Sequence, residues 1–213
     1  MTNETRICPL CGSTSKRFFF SKKKRFFLCP NCKGIHQDSA LFYEREKEEE
    51  RYRTHNNDVY DEKYRAFVSP ITEAVQRDYS ENHIGLDFGA GTGPVITKVL
   101  EEKGYKLNLY DPFFHPYEDN LKQKYDFIVS CEVIEHFHHP LKEFKLLQSL
   151  LKHGGKLYCM TDIYNDEIDF KNWYYKNDPT HVFLYQKETF LWIQENIPFR
   201  NMTIQKRLIT FEA

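Results

Sequence analysis

The sequence predicts an α/β chain: a mostly parallel sheet with helices on both faces, preceded by a small ribbon folded around four cysteines. Three observations carry that expectation. Beyond Glu81, short apolar runs alternate with amphipathic stretches, the pattern of strands covered by helices. Three alternate glycines, Gly89, Gly91 and Gly93, follow the first of those runs and open the first amphipathic stretch. Cys8-x-x-Cys11 and Cys29-x-x-Cys32 stand 17 residues apart near the N-terminus.

The cysteines come first in the chain, over residues 1–39. Two knuckles at that separation suit a tetrahedral ion held by four thiolates, which selects zinc. A segment with so little apolar content depends on its metal to fold, and a closed thiolate shell leaves no position for chemistry, so the zinc is expected to be structural. Between the knuckles, Lys16 to Leu28 reads as a hairpin with aromatic arms and a basic tip, Lys22 to Arg25. Two readings stay open there: a surface for RNA, by phosphate neutralisation and base stacking, or a solvated turn over a small core. Residues 1–39 hold eight Lys or Arg against two acidic residues in a chain of net charge -1, so only this part attracts polyanions. Cys131 and Cys159 stand apart from the cluster.

Residues 40–80 read as a helical linker and lid. Ala40 to Tyr52 has strong helix formers, many charges and neither Gly nor Pro, and is expected as an exposed connecting helix. From Asp61 to Tyr79, Tyr64, Phe67, Val68, Ile71 and Val75 recur at spacings of three or four, giving a stripe to lie on the core, with Pro70 a place to kink or restart.

Residues 81–213 hold the expected sheet. Strands are placed at Ile84 to Phe88, Lys106 to Tyr110, Tyr125 to Ser130 and Lys156 to Thr161, with two more at Phe199 to Gln205 and Arg207 to Phe211. Helices are placed at Pro94 to Lys103, Pro140 to Lys152 and Gln186 to Asn196. No apolar run approaches the roughly 20 residues that span a bilayer. Met1 to Arg6 leads into cysteines rather than a signal-peptide core, so a cytoplasmic protein with reduced thiols and no membrane partner is expected.

The chemistry concentrates in two motifs. Asp87-x-Gly89-Ala90-Gly91-x-Gly93 lets backbone approach a ligand at a helix N-terminus, and Asp111, about 20 residues on at the end of the next strand, is placed to accept hydrogen bonds from ribose hydroxyls. Glu132-x-x-Glu135-His136 groups two carboxylates and an imidazole on the loop after another strand, a donor set that suits Mg²⁺ or Mn²⁺. The alternative is that Glu135 and His136 only order that loop.

The glycine motif with Asp111 resembles motif I of class I S-adenosylmethionine-dependent methyltransferases. Tyr125 to Phe137 and Leu150 to Leu157, with His153 in place of a common Pro, resemble later parts of the same family, so the likeness spans most of residues 84–162. It implies a Rossmann-like sheet, S-adenosyl-L-methionine as methyl donor, Asp87 near the donor's amino-acid part, and a glycine loop packed around it, with Glu132 also at the cofactor. Glu132-x-x-Glu135-His136 resembles the motif of ubiquinone-pathway polyprenyl-catechol O-methyltransferases and of enzymes that 2′-O-methylate small-RNA 3′ ends. In those families a magnesium-like ion chelates neighbouring acceptor oxygens and a later histidine completes the site. His181 is the candidate here, as ligand or general base, against a structural histidine satisfied by Asp178. Trp173, Tyr174 and Tyr175 are candidates to cover the acceptor. One departure stands out: only 13 residues separate Asp111 from Tyr125, too few for the usual helix and third strand. The expected function is O-methylation of a small-molecule acceptor; the alternatives are an RNA-modifying methyltransferase guided by the ribbon and a catalytically silent, zinc-dependent interaction protein.

Overall fold

The structure is a computed structural model and describes residues 4–54 and 57–213. Met1–Asn3, part of the stretch read for a signal core, and residues 55–56 of the linker lie outside the described residues.

The chain opens with β1 (Thr5–Ile7), β2 (Thr14–Phe20), β3 (Arg25–Leu28) and β4 (Ile35–Gln37), all antiparallel. A 3-10 turn, Ser39–Leu41, follows, and only then α1 (Arg45–Arg53). The expected helix from Ala40 therefore begins five residues late, because Asp38 accepts the Ala40 N–H at 3.2 Å and Phe42 is extended. Nor is α1 merely exposed: Glu48 is buried. Asp61 caps α2 (Glu62–Asp78) through the Lys63 N–H at 2.9 Å, and the helix runs unbroken through Pro70 with Val68, Ile71, Ala74 and Val75 buried.

Next come β5 (Ile84–Phe88), α3 (Val95–Glu101), β6 (Lys106–Tyr110), β7 (Tyr125–Cys131), α4 (Pro140–Leu150) and β8 (Leu151–Met160). The chain ends with β9 (Ile163–Tyr164), β10 (Phe183–Gln186), α5 (Lys187–Asn196), β11 (Asn201–Gln205) and β12 (Leu208–Glu212). The main sheet has the order β11-β12-β8-β7-β5-β6; β8, β7, β5 and β6 run parallel, and the last hairpin is antiparallel to them. The 13 residues after Asp111 hold a bridge from Asp111 to His115 and a 3-10 turn, Glu118–Leu121, and no strand, so β6 is the sheet edge.

A second sheet has the order β1-β2-β3-β4-β10-β9, so the N-terminal hairpins are bonded to strands from the far end of the chain. Cys8, Leu10, Cys29 and Cys32 share one buried apolar cluster with Phe183, Tyr185 and Phe190. Among the described residues, no helix is long and apolar enough to cross a membrane.

Candidate active site

The carboxyl ends of β5 and β6 meet at the glycine loop. Gly89 has φ +83° and Gly91 φ +62°, the left-handed region that glycine enters without penalty. At Gly89 space is short as well, since an added Cβ would lie 2.4 Å from Val133. The N–H groups of Gly89 and Ala90 donate to the Tyr110 carbonyl at 2.8 and 3.3 Å, tying the loop to the end of β6. Over Gly93 passes the backbone of Asn57, whose oxygen would stand 1.9 Å from an added Cβ.

Asp111 is held by three backbone donors. Phe113 and Phe114 donate to Oδ1 at 2.9 and 3.0 Å, and Gly91 donates to Oδ2 at 3.0 Å. By lone-pair count Oδ2 keeps one free acceptor position for a ribose hydroxyl, fewer than an unengaged carboxylate offers. Asp87 is buried and takes a 2.7 Å hydrogen bond from the Thr97 hydroxyl; burial pushes its carboxyl up to about 6, against the pull of Thr97.

These groups line a cavity of about 670 Å³ that also takes in Arg45, Glu48 and Tyr52 of α1, Tyr64 and Phe67 of α2, and His136, His138 and His181 opposite. That volume is of the size used for small ligands and cofactors. The linker helices do form a wall of it. Arg45 donates to the Pro112 carbonyl at 2.8 Å and lies 4.6 Å from the Phe113 ring centre, while Arg53 lies 5.2 Å from Phe114, so α1 clasps the short turn after Asp111.

At the other end, the 3-10 turn Ile134–His136 brings Glu135 and His136 beside His181, with ligand atoms within 4.8 Å of one another. His181 Nδ1 lies 2.7 Å from the Tyr175 carbonyl and His136 Nδ1 2.9 Å from the Thr180 carbonyl. A carbonyl can only accept, so each Nδ1 carries the hydrogen and each Nε2 keeps a bare lone pair. Burial lowers both imidazoles, His181 to about 3, and keeps them neutral. Glu135 lies behind them, fully buried, with its Oε1 3.9 Å from His181 Nε2; Tyr175 donates to Oε1 and Thr161 to Oε2 at 3.0 Å. Burial pushes its carboxyl up to about 7.

Glu132 departs from this group. Its φ is +54°, an uncommon value for a residue with a side chain, and its carboxylate receives Arg207 Nη2 at 2.8 and 2.9 Å. Burial and Glu135 raise its carboxyl while Arg207 pulls it back; the close guanidinium contact favours the ionised form. It lines the cavity, but the compact ligand cluster is Glu135, His136 and His181. Of the remaining candidates, Tyr175 is buried against His181 with ring centres 4.2 Å apart, Trp173 packs with Phe170 and Tyr164, and Tyr174 is exposed. His138 stacks on Phe42, and His139 is exposed. Asp178, expected as the partner of His181, takes its hydrogen bonds from Thr180 and Arg51. Arg207, Tyr52 and Glu48 were invisible as site residues because no local motif marks them; Arg207 lies 75 positions from Glu132.

The donor chemistry fits a divalent cation: two neutral imidazoles with bare Nε2 atoms and tautomers fixed by carbonyls, plus one carboxylate. The four N-terminal sulfurs also lie within 4.8 Å of one another, with Cys8–Cys32 at 3.5 Å and Cys11–Cys29 at 3.3 Å. That is too far for disulfides and close to the spacing around one tetrahedral zinc.

An open sheet whose parallel strands end on a glycine loop, an acidic residue and one deep cavity defines an α/β protein of the cofactor-binding type. A family described as "Methyltransferase domain" matches residues 54–204, and the chain belongs to it. No curated protein sequence matches the chain. Among solved structures, an O-methyltransferase family protein from Burkholderia thailandensis has TM-score 0.53 at 12% identity, over 78% of this chain and 61% of that one. Human N-acetylserotonin methyltransferase in complex with S-adenosylmethionine has TM-score 0.51 at 11% identity, over 70% of this chain and 53% of its own. The chain thus spans less than two thirds of either structure's length, and the likeness is one of fold.

Proposed function

We propose that the chain transfers the methyl group of S-adenosyl-L-methionine to an oxygen of a small-molecule acceptor. The observation that carries this reading is the single cavity that joins the glycine loop and Asp111 at one end to the bare Nε2 atoms of His136 and His181 at the other. S-adenosylmethionine supplies an electrophilic methyl group when bound. Gly89, Ala90, Gly91 and Gly93 let the backbone lie against it, Asp111 receives a ribose hydroxyl, and Tyr64, Phe67 and Asn57 shield the space from water.

The acceptor hydroxyl donates to His181 Nε2. An imidazole held near 3 is a poor proton store at neutral pH, whereas Glu135, held near 7 and 3.9 Å away, is matched to it. His181 therefore orients the hydroxyl and Glu135 keeps the proton. The same three side chains, Glu135, His136 and His181, would hold a Mg²⁺ or Mn²⁺ ion, which would make an acceptor hydroxyl more acidic. The ribbon would hold a structural zinc.

Calorimetry with S-adenosylhomocysteine tests the donor site: Asp111→Ala is expected to weaken binding by about 1.5–3 kcal/mol, the value of a hydrogen bond to a charged group. Unchanged affinity would remove the ribose role, and no binding by the wild type would end the methyltransferase reading. Titrating Mg²⁺ or Mn²⁺ into zinc-loaded protein during turnover separates the two uses of the Glu135 cluster, since a rate indifferent to both ions leaves only the base.

A further inference from the structure

Residues 1–53 lie outside the family match, yet they touch the loop that carries His181. That loop, residues 178–182, is held from three sides. From the ribbon, Lys24 Nζ donates to the Asp178 carbonyl at 2.8 Å and the Gln37 N–H donates to the Val182 carbonyl at 2.8 Å, after which β10 pairs with β4 through Phe183–His36 and Leu184–Ile35. From α1, Arg51 pairs with the Asp178 carboxylate at 2.6 Å. On the cavity side, the Val182 N–H donates to the Glu135 carbonyl at 2.9 Å, and the Thr180 carbonyl receives His136 Nδ1. One peptide, that of Val182, is therefore bonded to the ribbon through its oxygen and to the catalytic turn through its nitrogen.

Resting on the methyltransferase reading, we propose that the ribbon is a wall of the acceptor site, with Lys24 and β4 as positioning elements that set the imidazoles of His181 and His136. The basic tip is spent inside the molecule rather than offered to a polyanion. Lys24 is half-buried at a backbone carbonyl, where burial lowers its ammonium to about 8, and Arg25 pairs with Asp38 at 3.3 Å. Burying an ammonium costs free energy that a surface lysine avoids, so its place at Asp178 is consistent with a built contact. Packing couples the two parts as well: a Cβ on Gly34, two residues after Cys32, would stand 2.3 Å from the Phe183 ring, two residues after His181.

The test uses full-length, zinc-loaded protein with ¹⁵N-labelled histidine. In the wild type, His181 and His136 are each expected as one neutral tautomer with hydrogen on Nδ1. Lys24→Met is expected to replace the His181 signals by exchange-averaged ones, while affinity for S-adenosylhomocysteine stays within roughly two-fold, as for a site remote from the change. Lys24→Arg is expected to restore them. Gly34→Ala, acting through Phe183, is expected to give the Lys24→Met pattern without touching a charge; should it not fold, Lys24→Met and its Arg rescue decide. Unchanged His181 and His136 signals in Lys24→Met overturn the proposal, as does a loss of donor affinity in step with the histidine change, which marks general loosening. If the wild type binds no S-adenosylhomocysteine, the enzymatic reading fails, while the histidine signals still report whether the ribbon sets them.

Discussion

At the scale of single residues, the site is governed by burial. Glu135 has no exposed surface, its oxygens take hydrogens from Tyr175 and Thr161, and its carboxyl is held near 7 instead of the ordinary 4.5. A folded-state value above the unfolded one means that the native chain binds the extra proton between pH 4.5 and about 7. The stability this contributes is complete below 4.5 and is lost as pH rises through 7, where the carboxylate must ionise in a dry place. Glu135→Gln keeps an oxygen for Tyr175 and removes the titration. Without added divalent ions, the variant is expected to gain thermal stability over the wild type at pH 8.5, by more than at pH 5.5. Melting curves at the two pH values check this; a difference that does not grow with pH would show that Glu135 ionises freely. The imidazoles act in the opposite sense, since neutral His181 and His136 lose stability as pH falls below 6.5, and comparison at fixed pH cancels them.

Elements were legible where periodicity was strong and long-range bonding weak. The first two parallel strands were placed to the residue, because Ile84 to Phe88 and Lys106 to Tyr110 are short apolar runs bounded by turn residues. The glycine loop and both cysteine knuckles were legible because their chemistry is local. The start of α1 was not, since an aspartate before it captures the backbone; nor was β10 as a strand, because its partners, β4 and β9, are set by contacts far along the chain. The same holds for Glu132, whose guanidinium partner no spacing rule could supply. The short turn after Asp111 left the adenosine end without its expected strand, and α1 stands there instead, with Arg45 on the Pro112 carbonyl and the Phe113 ring. Arg45→Met keeps the stem and deletes both contacts. It is expected to weaken S-adenosylhomocysteine binding by about 1 kcal/mol, roughly five-fold, by loosening that turn. Calorimetry would detect it, and an affinity equal to wild type would make α1 a bystander.

At the scale of the whole molecule, the two sheets do not melt as separate bodies if their bonding means what it implies. The hairpins of residues 5–37 end on β4, whose partner is β10, and β10 runs directly into α5, whose Phe190 and Ile193 are buried with Phe211 of the main sheet. Three of the four cysteines lie in that same apolar cluster. Thiolates left without a cation would repel one another in a buried space, so the ion's binding energy belongs to the folded state and disappears with it. Because that state includes β10, removing the zinc is expected to lower one cooperative transition for the entire chain, rather than delete a small early one and leave the main melt in place. Calorimetric scans of zinc-loaded and chelator-treated protein distinguish these outcomes. A main transition that stays at its zinc-loaded temperature after chelation would mean that the ribbon folds on its own account and only leans on the rest.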